Sequence, residues 1–96
     1  MKTLLVLRHA KSSWKDPSVT DHDRPLNSRG KRDAPRIGKI IAAEEVRPDI
    51  ILSSTAKRAR RTAEDVSDAV GLSGKAVVLD SRLYLAEPAE IVNVVR

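Results

Sequence analysis

Three short apolar runs punctuate the chain: Leu4-Leu5-Val6-Leu7, Ile50-Ile51-Leu52 and Ala76-Val77-Val78-Leu79. None alternates with polar residues, so each reads as a strand covered on both faces, the habit of parallel sheets. Helical periodicity fills the intervals. Residues 28–45 form the first such pattern, with Asn27 placed to cap it and Gly30, Pro35 and Gly38 expected to weaken or kink it. The second, about 55–70, is cleaner: Ala56, Ala59, Ala63, Val66 and Val70 recur in steps of three and four, making one apolar stripe. Ser54 or Thr55 can cap its start and Gly71 its end. A third pattern begins near Pro88 and runs through Ile91, Val92 and Val95 to the last residue. The order β-α-β-α-β-α predicts a layered α/β fold with crossover helices.

The 96 residues bound this to one domain, without repeats or low-complexity tracts. Hydrophobic residues at 41% and charged residues at 32% give a globular balance, and no apolar run approaches membrane-spanning length. The first residues, Met1 to Arg8, are too short in apolar content for a secretory signal, so the expected location is cytoplasmic. The absence of Cys removes disulfides, thiolate metal sites and thiol nucleophiles. The net charge of +5 is lopsided: residues 1–48 carry 11 Lys and Arg against 6 Asp and Glu, while residues 49–96 carry 7 of each. Such a balance suits nucleic acid or a site for small anions. Only Trp14 and Tyr84 could stack on bases, which argues against single-strand binding.

Ligands of open α/β sheets bind beyond the carboxyl ends of the strands. Here those ends carry Arg8-His9-Ala10, Ser53-Ser54-Thr55 and Asp80-Ser81. The start of the second helix attracts anions and is followed by Lys57, Arg58, Arg60 and Arg61. Arg60 has Glu64 four residues on and Arg61 has Asp65, so both fit ordinary surface pairs, and the cluster as a whole also fits a solvated helix face. Arg58 has Thr62 at that spacing and no local counter-ion, which leaves it to face a phosphate. No P-loop, dinucleotide fingerprint or metal-ligand spacing occurs, so no cofactor or metal is expected. The long irregular stretch 10–27 includes Asp21-His22-Asp23, which reads as a solvated loop.

These residues also match a family pattern. Leu7-Arg8-His9-Ala10-Lys11-Ser12 after an apolar run resembles the R-H-G/R-H-A signature of the histidine phosphatase (phosphoglycerate mutase-like) superfamily. The segment from Ser53 to Ala63 is similar to its second motif, S-x-x-x-R-A-x-x-T-A, and Arg24-Pro25-Leu26-Asn27-Ser28-Arg29-Gly30 resembles its R-P-L-[TN]-x-x-G segment. Alanine after the histidine, Trp14 and Leu83-Tyr84 resemble the SixA-like phosphohistidine phosphatase branch. The resemblance implies a three-layer α/β/α fold with a mostly parallel sheet. It further implies that His9 is a nucleophile carrying a phosphoryl group, with its attacking nitrogen unprotonated. Arg8 and Arg58 would hold the equatorial oxygens, with Ser12 and Arg24 as further phosphate contacts.

Two departures qualify that expectation. Leu83-Tyr84-Leu85 puts leucine where the wider family has a glutamate acid, which favours an imidazole leaving group over an alcohol; Asp21, Asp23 and Glu87 remain alternative acids. The family's second histidine, in a G-H-x-P-like motif, would fall beyond Arg96, so residues 1–96 read as the N-terminal part of a single domain, truncated at the C-terminus. The implied partner is a phosphorylated protein, with a small phosphate ester as the alternative substrate. A non-catalytic module that binds phosphate or polyanions is the alternative from another class.

Overall fold

The computed structural model describes residues 4–45, 47–72 and 76–95. Met1–Thr3 and Arg96, which entered the reading of the two ends of the chain, lie outside them.

Helix α1 spans Ser28–Ala43 and starts as its sequence dictates: the Asn27 side chain accepts from the Gly30 N–H, satisfying one of the unpaired donors of the first turn. The helix runs through Pro35 and Gly38 without a break. The helical bond that Pro35 cannot donate is outweighed by packing on the buried side, where Ala34 is fully covered. A Cβ at Gly38 would stand 2.7 Å from the Cβ of Ala69 and 3.1 Å from the Cα of Val66, so this glycine is what lets α1 lie close against α2.

Strand β1, Ile51–Ser53, pairs in parallel with β2, Val77–Leu79, in the register Ile51 to Val77 and Ser53 to Leu79. Helix α2, Lys57–Ala69, makes the crossover between them, packing against both strands and, on another side, against α1. Its stripe is buried as the periodicity predicts, at Ala63 and Val66. It ends where Gly71 adopts φ +78°, with the Gly71 N–H returning to the Asp68 carbonyl. A 3-10 turn at Ser81–Leu83 leads to helix α3, Pro88–Val95, which packs on that turn. The fold is α/β.

The first apolar run departs from expectation. Leu4–Leu7 forms no strand, and its side chains are 44–69% exposed. A strand needs a ladder partner, and β1 and β2 are hydrogen-bonded only to each other in their two-stranded sheet. Nor are the observed strands covered on both faces: Val78 and Leu79 are exposed. The buried apolar residues are instead mostly alanines (Ala10, Ala34, Ala56 and Ala63) with Leu26 and Val66. Helix α2 also starts without the expected side-chain cap. Ala56 stands at the cap position, the Ser54 hydroxyl accepts only from the Ala56 N–H, and the Lys57 N–H donates to the carbonyl of His22.

Close packing of α1 on α2 gives the first expected outcome. Replacing Gly38→Leu in the full-length protein should lower stability by about 1–3 kcal/mol through overpacking, read from urea unfolding midpoints.

Candidate active site

The stretch 11–27 is folded back on itself. Its base is pinned by an isolated antiparallel bridge between Ser12 and Leu26, by the Ser13 N–H to the Pro25 carbonyl (2.8 Å), and by the Asn27 N–H to the Lys11 carbonyl (2.9 Å). Gly30 secures the same corner, since a Cβ there would run into the Lys11 carbonyl oxygen. The far end of the loop lies over the start of α2: the His22 carbonyl holds the Lys57 N–H, and His22 Nε2 lies 2.7 Å from Thr55 Oγ1.

His9 is half-buried, just before Ala10. The buried Ala10 N–H donates to Thr62 Oγ1 (3.1 Å), and the Thr62 hydroxyl donates to the Arg58 carbonyl (2.8 Å). One threonine thus ties the histidine segment to the helix turn bearing Arg58. Nδ1 of His9 lies 2.7 Å from the Ala10 carbonyl oxygen, an acceptor, so it carries the hydrogen. That leaves the lone pair on Nε2, where it accepts from the Arg58 Nε–H at 3.3 Å.

Arg58 is only 5% exposed. It has no counter-ion on its own helix, but the loop supplies one: Nη1 donates to the Asp21 carbonyl at 2.5 Å and Nη2 to Asp21 Oδ2 at 3.1 Å. The Tyr84 hydroxyl donates to the same Oδ2 at 2.5 Å, and Arg24 Nη2 donates to Oδ1 at 3.1 Å. Arg24 also donates from Nη1 to Ser12 Oγ (2.5 Å), lies over the Trp14 ring at 3.5 Å, and keeps a buried Nε without a hydrogen-bond partner. The His22 and Tyr84 rings meet in a T-shaped contact, with centroids 4.9 Å apart.

Of the residues expected at the site, the structure brings together His9 and Arg58 directly and Arg24 through Asp21, with Ser12 held in turn by Arg24. Arg8 is exposed and makes no hydrogen bond or ion pair among the described residues. Arg60 and Arg61 pair with Glu64 and Asp65 as the spacing predicts. The Asp21-His22-Asp23 loop is solvent-exposed as expected, with the Asp21 side chain 44% accessible, yet Asp21 gathers two arginines and a tyrosine. Asp21 is also a poor candidate for an acid. The hydrogen bond from Tyr84 first, then those from Arg58 and Arg24, bring its carboxyl down to about 2, so it holds no proton at neutral pH. The same bond raises the Tyr84 phenol. In sequence Thr62 is the neutral residue four positions after Arg58 and the threonine of the T-A pair in the second motif; its bonds to Ala10 and to the Arg58 carbonyl emerge only in the structure. Its hint was chemical: a buried hydroxyl on an apolar stripe needs partners.

A half-buried imidazole with an unprotonated nitrogen against a buried guanidinium, on an α/β scaffold, is an arrangement with which an anion can be bound. The histidine phosphatase superfamily (branch 1) matches residues 4–84, and the chain belongs to it. An uncharacterized protein of Mycobacterium tuberculosis is 39% identical over 91% of this chain and 51% of its own length. A 2,3-bisphosphoglycerate-dependent phosphoglycerate mutase of Thermobifida fusca is 36% identical over 75% of this chain and 30% of its own. The crystal structure of the "putative phosphohistidine phosphatase SixA" of Agrobacterium tumefaciens superposes with a TM-score of 0.82 at 38% identity, covering 92% of this chain and 56% of that one. The chain therefore spans about half, or less, of the length of these relatives.

Two outcomes follow from this geometry. Thr62→Val keeps the shape but orphans the buried Ala10 N–H, which should cost about 1–3 kcal/mol in urea unfolding of the full-length protein. The Asp21 carboxyl, lowered from 3.8 to about 2, stabilises the fold fully above pH 3.8 and loses that contribution as the pH falls towards about 2. The stability gap between wild type and Asp21→Asn, followed by unfolding at each pH, should close over that interval.

Proposed function

We propose that the protein carrying this chain is a phosphatase that works through a phosphohistidine on His9, with phosphohistidine in proteins as its substrate. The observation that carries this reading is the unprotonated Nε2 of His9: its Nδ1–H is bonded to the Ala10 carbonyl, and its lone pair accepts from the Arg58 Nε–H, a bond given up as phosphorus approaches. Nε2 forms a bond to phosphorus while the bond from phosphorus to the leaving group breaks, and the leaving imidazole takes up a proton from solvent. Water then attacks the phosphohistidine, the Nε2–P bond breaks, and inorganic phosphate departs. Arg58 and Arg8 neutralise the equatorial oxygens; Ser12 and Arg24 add contacts at the loop side. The domain is read as the N-terminal part of one histidine phosphatase domain.

Two features favour phosphohistidine over an ester. Leu85 stands where the superfamily pattern carries a glutamate acid, and Asp21 holds no proton to offer an alkoxide. Imidazole, with a reference pKa of about 6.5, needs that acid least. The similarity to SixA from Agrobacterium supports the same choice. The 36% identity to a phosphoglycerate mutase supports the second reading, a phosphomonoesterase acting on small phosphate esters.

In the full-length protein, intact-mass analysis after brief exposure to substrate should show a phosphoenzyme that His9→Ala lacks, with turnover abolished. Wild-type turnover by His9→Ala would end this reading. Arg58→Ala should lower kcat by about 100- to 1,000-fold. A phosphohistidine peptide should be hydrolysed in preference to sugar phosphates, and the reverse order would favour the second reading.

A further inference from the structure

We infer that Asp21 is a positioning residue for phosphoryl transfer: it orients Arg58 towards His9 and is itself locked by Tyr84. This deepens the phosphatase reading and rests on it.

Arg58 offers five N–H groups in a rigid plane. One, on Nε, goes to His9 Nε2; one on Nη1 goes to the Asp21 carbonyl and one on Nη2 to its carboxylate. Two hydrogens remain, one on each Nη, for the oxygens of a phosphoryl group. A single loop residue grips both terminal nitrogens, so the plane cannot swing about Cζ while Asp21 stays in place. Helix α2 offers no such grip: Thr62, at i+4, spends its hydroxyl on the Arg58 carbonyl and the Ala10 N–H.

Asp21 is in turn held from three directions. Its Oδ1 accepts from Arg24 and its Oδ2 from both Arg58 and Tyr84, the last reaching across 63 positions of sequence. The carboxylate lets two guanidiniums share one site without repelling each other. Tyr84 approaches from beyond the 3-10 turn after β2, so the helix that follows β1, the turn that follows β2 and the loop meet on one anion. The Tyr84 hydroxyl is committed to Asp21 and acts on the reaction through it.

A loop staple with no bearing on chemistry would make the same bonds, so the test must read more than folding. In the full-length protein, Asp21→Asn preserves shape and removes the charge; its amide nitrogen cannot accept from Arg24 or Arg58. Misorienting Arg58 should lower kcat by about 10- to 100-fold. Inhibition by inorganic phosphate should hold or tighten, because a carboxylate near the bound anion is gone. Tyr84→Phe should lower kcat less, and in an Asp21→Ala background it should have no further effect. Wild-type kcat in Asp21→Asn would overturn the inference. So would loss of kcat and phosphate affinity in equal measure, or a Tyr84→Phe effect that is the same in both backgrounds. If Asp21→Asn does not fold, Tyr84→Phe alone is decisive: reduced kcat with phosphate affinity retained supports the assignment, and unchanged kcat overturns it. A phosphoenzyme that survives His9→Ala would overturn the phosphatase reading, whereas an inert His9→Ala beside a fully active Asp21→Asn would overturn only the role of Asp21.

Discussion

A guanidinium buried at the foot of a helix must find an opposite charge, and Arg58 finds none on its own helix. That requirement organises the molecule. The irregular stretch between His9 and Asn27 has to fold back far enough to deliver Asp21, and in doing so it also supplies the carbonyl that satisfies the first amide of α2. The two tasks reinforce each other, because an unpaired donor and an unpaired cation sit within one turn of helix and one loop meets both. Without the loop, the start of α2 would present bare amides and a bare charge to the same small space.

The other half of the arrangement is made by smallness. The buried apolar positions are largely alanine, and Gly30 and Gly38 stand where any side chain would meet backbone or a neighbouring helix. Close approach places the His9–Ala10 segment within reach of Thr62, so the bond from the Ala10 N–H to the threonine hydroxyl, more than bulky side chains, fixes the segment that carries the imidazole. Burying small side chains yields little hydrophobic free energy per residue, and positional definition is what they add.

The helices were readable because their determinants are local: the Asn27 cap, the alanine stripe of α2 and the glycine after it all lie within a turn of what they control. The parallel pairing of the second and third apolar runs was readable from their unalternating hydrophobicity. The first run was misread for a related reason. Hydrophobicity records what a strand would bury and says nothing of whether a neighbour is there to pair with, and Leu4–Leu7 has none among the described residues. His9 and Arg58 stood out in the sequence through their motifs. Asp21 did not, since its partners lie 3, 37 and 63 residues away and only the last two say what it is for.

Trp14 is the single tryptophan of the chain, and its indole is covered on one face by the guanidinium of Arg24, which in turn grips Asp21. The emission of that indole depends on whether the cation lies on it. The molecule therefore contains its own optical gauge of loop docking, one that needs no label and draws on a residue that takes no part in the chemistry.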